Sequence, residues 1–103
     1  MIARMWVGEV RPGDRDAYQR YVEETGLAGY RATPGNRGAK LLARDLDDRC
    51  EFTCLSFWDS WESIRAFAGP DPEIARYYPD DERFLLSFPR TVRHFEVLSE
   101  EEP

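Results

Sequence analysis

One histidine, a tyrosine pair, three tryptophans and two loop arginines are the side chains of this 103-residue sequence best suited to chemistry. His94 is the only group whose ordinary pKa lies near neutrality, which makes it the default general base for taking a proton from a phenol or an acidic carbon. The competing reading is a packed or interface histidine, and a His94 turned away from the helices would lose any catalytic role. Tyr77 and Tyr78 precede Pro79 in a segment too short to build much core; one ring can pack inward while the other lines a pocket mouth and its hydroxyl donates to a substrate oxygen. Trp6, Trp58 and Trp61 can stack on a flat aromatic ligand or serve simply as core. Arg31 and Arg37 flank the Pro34-Gly35 turn and can hold an anionic group or stay solvated.

Other chemistries find little support. Cys50 and Cys54 are four apart in a strand pattern, so their Cα atoms should stand ~13 Å apart, about twice the reach of a disulfide. Both are expected as free thiols, with Cys54 buried and its pKa raised, a poor nucleophile. A metal site lacks ligands, since the histidine is single and there is no second cysteine pair. No phosphate loop, serine elbow or paired-carboxylate motif is present. The net charge is −6, with acidic runs at Asp45 to Asp48, Asp80 to Glu82 and Glu100 to Glu102 and no basic cluster, which argues against nucleic acid and anionic membranes as partners. No window has the ~20 apolar residues of a membrane span, and Arg4 and Glu9 interrupt any signal-peptide core, so the expected location is the cytoplasm.

The elements that must position these groups emerge from periodicity. With 42% hydrophobic and 14% aromatic residues the chain can pack one core, spanning residues 1–98, with 99–103 an acidic tail. Ile2 to Val10 reads as a strand, with Ile2, Trp6 and Val10 on one face and Ala3, Met5 and Val7 on the other. Asp14 is a candidate cap for a helix carrying Ala17, Tyr18, Tyr21 and Val22, which Gly26 should stop. A loop is expected over Leu27 to Arg37, then strands at Gly38 to Arg44 and Glu51 to Trp58 joined by a short polar hairpin. Asp59 or Ser60 caps a helix with Trp61, Ile64, Phe67 and Ala68 on one side, ended by Gly69-Pro70. Pro72 to Tyr77 and Asp80 to Leu86 read as two short helical turns, and Thr91 to Leu98 as the last strand.

The order strand, helix, strand, strand, helix, strand is that of an α+β, ferredoxin-like βαββαβ fold: a four-stranded antiparallel sheet with helices on one face. Both faces of the first and third strands are largely apolar, so the helices leave one greasy face bare. A homodimer packed sheet to sheet is the expected way to cover it.

The sequence resembles the antibiotic biosynthesis monooxygenase-like family of dimeric α+β barrels. The likeness runs over nearly the whole chain and is carried by Met1-Ile2-Ala3-Arg4, the loop Gly29 to Gly38, Phe57-Trp58-Asp59-Ser60-Trp61, Ala66-Phe67-Ala68-Gly69, Tyr77-Tyr78-Pro79 and Val92 to Val97. The resemblance implies a pocket between sheet and helices, used in relatives either for cofactor-free oxidation of aromatic polyketides by dioxygen or for oxidative opening of heme. The heme-opening relatives depend on an Asn in the first strand and a Trp and a His in the helical region. Here the only Asn is Asn36, the first strand offers Trp6, and the one His is in the last strand, so that mechanism is not expected. The cofactor-free relatives also use an Asn among their pocket groups, and that too is missing. Two functions therefore stand side by side. One is a cofactor-independent monooxygenase for a small aromatic or polyketide-like molecule, with His94 and Tyr78 catalytic and Trp6, Trp58, Trp61, Tyr77 and Arg37 binding substrate. The other is a non-catalytic dimer that binds a small hydrophobic ligand or heme.

Overall fold

The computed structural model describes residues 1–103. Four strands, β1 (Ile2–Val10), β2 (Asn36–Asp45), β3 (Cys50–Trp58) and β4 (Arg93–Glu96), form one antiparallel sheet in the order β2-β3-β1-β4. This is the ferredoxin-like arrangement, with β3 and β1 at its centre. No helix is long and apolar enough to cross a membrane.

Alternation sorts the sheet into two faces. On β3, Cys50, Phe52, Cys54, Ser56 and Trp58 are buried beneath the helices, while Thr53, Leu55 and Phe57 turn the other way and are half-buried. On β1, Trp6 and Val10 join the covered face, as their spacing predicts, and so does Arg4. Trp58 is the pivot of the core: fully buried, it donates its indole N–H to Ser56 Oγ (2.9 Å) and packs against Tyr30 and Phe67. The opposite face keeps Met5, Val7, Leu55 and Phe57 half-buried and Leu42 and Phe95 exposed in the single chain.

The helices depart from expectation at two glycines. Helix α1 (Arg15–Val22) passes through a wide turn (Glu23–Leu27) straight into α2 (Ala28–Ala32), which carries Gly29. Gly26 does not stop the helix, because Gly26 has no left-handed φ; only Gly35, Gly38 and Gly69 do. The expected loop therefore begins only after Ala32, and Tyr30 on α2 docks its ring 4.7 Å from Phe67. Asn36, expected in that loop, opens β2. Asp14 makes no capping bond and instead pairs with Arg11. Ser60 is the cap of α3 (Trp61–Ala68), its Oγ accepting from Ser63 N, while Asp59 pairs with Arg37.

The other correction concerns residues 70–92. Pro72 to Tyr77 is not a helical turn: Ile74 bridges Thr91, Ala75 N donates to Arg90 O and Val92 N to Glu73 O, so this stretch finds its backbone partners in the chain leading to β4. A single turn of helix, α4 (Asp81–Phe84), comes next, and Leu85 bridges Val10 at the end of β1. The last strand is shorter than Thr91 to Leu98 for the same reason, the residues at its start being committed to this strap. Cys50 and Cys54 are free and buried.

Because Trp58 fills the centre of the core, Trp58→Ala should lower the unfolding free energy by about 3–5 kcal/mol, read as a shifted urea midpoint with an unchanged slope.

Candidate functional site

Between the covered sheet face and the helices lies a partly enclosed cavity of about 40 Å³, room for one or a few waters. β1 contributes Arg4 and Trp6 to its wall, β3 contributes Cys54, and α3 contributes Phe67. The helical side supplies Tyr18 from α1, Thr25 and Gly26 from the wide turn and Tyr30 from α2; Arg76, Tyr77, Tyr78 and Asp81 come from the strap and α4. The interrupted helix thus has a structural consequence. Its wide turn puts a small buried residue, Gly26, and a Thr25 whose hydroxyl donates to Tyr21 O, at the cavity wall.

The polar groups of the wall fall into two sets. Most are satisfied. Trp6 Nε1 donates to Tyr77 Oη (3.3 Å), and Tyr77 in turn donates to the Pro89 carbonyl, so its proton is already committed. Asp81, 5% exposed, accepts from Tyr18 Oη (2.9 Å) on one oxygen and from Tyr78 N (2.7 Å) on the other. Arg76 donates to Phe67 O and lies against the rings of Phe67 and Tyr78. The second set is buried and unpartnered: Tyr78 Oη and Arg4 Nε. Burial pushes the Cys54 thiol up to about 12 and raises the Tyr78 hydroxyl, so both hold their protons at neutral pH. Tyr78 Oη is packed so closely over α2 that a Cβ on Gly29 would stand 2.8 Å from it.

The residues singled out from the sequence separate into distinct places. Trp6, Tyr77 and Tyr78 meet at the cavity. Trp58 does not line it, being enclosed within the core by Tyr30 and Phe67. His94 and Trp61 form a pair of their own, ring centroids 4.8 Å apart, in an open groove at the β4 edge. His94 does face the helices, since its cross-strand partner is Arg4, but β4 is the outermost strand and the register carries the imidazole past the cavity. It is therefore not within the same wall as Tyr78. Arg37 is exposed and held by Asp59 (2.6 Å), away from the cavity. Arg31 is likewise exposed, on α2.

Arg4, Arg76, Phe67 and Asp81 are wall residues that motif reading did not select. Arg4 carried a signal: period two places it on the face of Trp6, a charge inside an apolar stripe. Asp81 carried none, because within Asp80-Asp81-Glu82 it is indistinguishable from a solvated acidic run. No group of three or more His, Cys, Asp or Glu residues is arranged to hold a metal ion.

A sequence profile described as antibiotic biosynthesis monooxygenase matches residues 1–71. The chain belongs to that family. Among solved structures it is similar to a single-site mutant of MhuD with two manganese protoporphyrin IX molecules bound per active site, at 17% identity over 100% of both chains and a TM-score of 0.63. A likeness at that identity establishes the shared fold. No curated protein sequence matches the chain.

Burial first, and the Arg4 charge second, hold the His94 pKa below its ordinary value. A histidine depressed on folding contributes stability above its unfolded pKa and withdraws it as pH falls through the folded value. Melting temperature should therefore fall between about pH 7 and 5, and His94→Gln should flatten that slope; an identical slope would remove His94 as its source.

Proposed function

We propose that the chain is a cofactor-independent monooxygenase for a small aromatic or polyketide-like molecule, with its reacting centre at the Trp6–Tyr77–Tyr78 cavity, which must widen from about 40 Å³ to admit it. The observation that carries this reading is the Tyr78 hydroxyl, which belongs to a wall residue, is buried against Gly29 of α2 and has no hydrogen-bond partner. A buried hydroxyl left unpaired costs about 1–3 kcal/mol, a cost that a ligand oxygen accepting from Tyr78 would remove. Around it Trp6, Tyr18, Tyr30, Phe67 and Tyr77 give the wall aromatic surface suited to a planar molecule. In a reaction of this class the substrate itself is the four-electron reductant: a phenol loses its O–H hydrogen and a ring C–H hydrogen, one atom of dioxygen becomes the new quinone carbonyl oxygen, and the other leaves with the two hydrogens as water. Tyr78 holds the substrate oxygen. Asp81, the one carboxylate of the wall, takes the place of His94 as proton acceptor, with Tyr18 fixing its orientation.

The porphyrin in the MhuD structure prompts the alternative of heme binding. The residues here do not fit that group. The cavity wall has no histidine, and the raised Tyr78 pKa disfavours a phenolate ligand to iron. Heme titration should accordingly leave the Soret band of free heme unshifted.

We further propose that the working form is a dimer in which a second copy covers Met5, Val7, Leu55 and Phe57. These half-buried side chains with exposed Leu42 and Phe95 make a contiguous apolar face that the helices cannot reach. The wild-type chain should sediment as a dimer at micromolar concentration and Leu55→Asp as a monomer; a wild-type monomer would remove this arrangement.

For the activity, a panel of hydroxylated polycyclic aromatics is to be screened for dioxygen consumption. Tyr78→Phe should reduce turnover about 10²-fold while the fold, read by circular dichroism, stays intact. Unchanged turnover would clear Tyr78 of a role, and no consumption across the panel would sink the enzymatic reading.

A further inference from the structure

Tyr77 and Tyr78 stand between two spaces. They line the cavity of about 40 Å³, and they also line an open groove of about 560 Å³ on the outer surface, whose other residues are Pro79, Glu82 and Phe88. No other residue lines both. The pair is thus a partition one side chain thick, and a planar molecule passing from groove to cavity has to displace one of its rings.

The two rings are held very differently. The Tyr77 hydroxyl accepts from the Trp6 indole and donates to the Pro89 carbonyl, and its ring meets Phe88 edge-on with centroids 5.3 Å apart. Moving Tyr77 breaks both hydrogen bonds. The Tyr78 hydroxyl has no partner, so its side chain is held by packing alone: exposed Arg76 lies 5.0 Å over the ring, and the hydroxyl tip rests on Gly29 of α2. The residue is half-buried, but the hydroxyl is shut away from water. Turning the side chain outward breaks no hydrogen bond, and it offers the hydroxyl water or the exposed Glu82 carboxylate in a groove with room for a phenol ring.

Gly29 is the seat of this ring. A Cβ there would stand 2.8 Å from the Tyr78 hydroxyl and 3.1 Å from the Phe67 ring. Glycine is a poorer helix former than alanine, and here the space it leaves within α2 is the space the hydroxyl occupies.

We infer that Tyr78 is a swinging gate, closed with its hydroxyl seated on Gly29 and open with its ring turned into the outer groove, and that Tyr77 is the fixed post beside it. The inference rests on the cavity being the ligand site proposed above, and it adds the route of entry and the movement that frees the Tyr78 hydroxyl to meet a ligand. The closed state leaves a buried donor unpaired and the open state gives up ring packing, which keeps both within reach of one chain.

Cys54 is a reporter built into the cavity wall, whereas Cys50, also a free and buried thiol, does not line the cavity. Methyl methanethiosulfonate is added to the unaltered protein, and the reaction rate at each cysteine is read by mass spectrometry. Cys54 should react through a local opening, at a rate nearly independent of low urea, whereas reaction through global unfolding rises with the full urea slope. Tyr78→Phe removes the unpaired donor from the closed state and should slow Cys54 about tenfold. Gly29→Ala unseats the hydroxyl and should speed Cys54 while leaving Cys50 unchanged. A Cys54 rate that follows the slope of global unfolding, or one unmoved by Tyr78→Phe, overturns the gate and leaves the activity to be judged by dioxygen consumption. A gate that opens in a chain consuming no dioxygen stands, and the enzymatic reading alone falls. Should Gly29→Ala not fold, or speed both thiols alike, the response to Tyr78→Phe decides the matter.

Discussion

The site depends on a charge carried by a strand. Alternation along β1 turns Arg4 under the helices together with Trp6, and there its guanidinium reaches the carbonyls of Pro72 and Ile74. Those carbonyls belong to a stretch with no regular secondary structure of its own, which needs partners for its backbone. Arg4 supplies some from below and residues 90–92 supply others from the side. The strap held in this way brings Arg76, Tyr77 and Tyr78 over the sheet. Without a long donor at position 4, the Pro72 and Ile74 carbonyls would lose their bonds to the sheet, leaving the Trp6–Tyr77 bond as the strap's side-chain link to β1.

The helical layer complements this arrangement. A regular helix from Arg15 onward would present a bulky side chain every turn, whereas the wide turn at Glu23–Leu27 brings Gly26 to the cavity and shifts the phase of the helix beyond it. Tyr30 then meets Trp58 and Phe67, closing the aromatic core next to the cavity. Gly8 has a related part on β1. A Cβ there would stand 2.3 Å from the Trp6 ring, so the glycine lets that indole lie along its own strand and reach Tyr77. Core packing and site construction use the same aromatic residues, which is why a compact domain of this size can hold a cavity at all.

Membership of the antibiotic biosynthesis monooxygenase family and the likeness to MhuD describe a scaffold, and a scaffold does not by itself fix a chemistry. The cavity wall of this chain has no histidine and no asparagine; it holds a buried arginine, a buried carboxylate and four tyrosines. The separation of His94 from Tyr78 makes the point sharply. Tyr78 lies on the strap over the sheet, whereas His94 pairs with Arg4 on the edge strand β4, in another groove beside Trp61.

Much of this was legible in the residues themselves. Period-two alternation in Ile2 to Val10 and Glu51 to Trp58 identified these two strands and sorted their side chains into faces, because side chains on a strand have no choice but to alternate; packing decided which face the helices cover. The βαββαβ order and the apolar second face came from the same rule. Local reading failed where a residue's meaning depends on what packs against it. Gly26 and Gly29 are turn formers by type but helical in place, since Tyr30 gains more from docking against Trp58 and Phe67 than a loop would offer. Pro72 to Tyr77 is helical by local signals, yet it forms a turn followed by irregular chain bridged to residues 90–92, since Arg90 and Thr91 stand ready to pair with it. Strand order decided His94, and a buried tyrosine decided Asp81. A sequence determines faces and periods, which are local; which face of which element closes the cavity is a property of the packed whole.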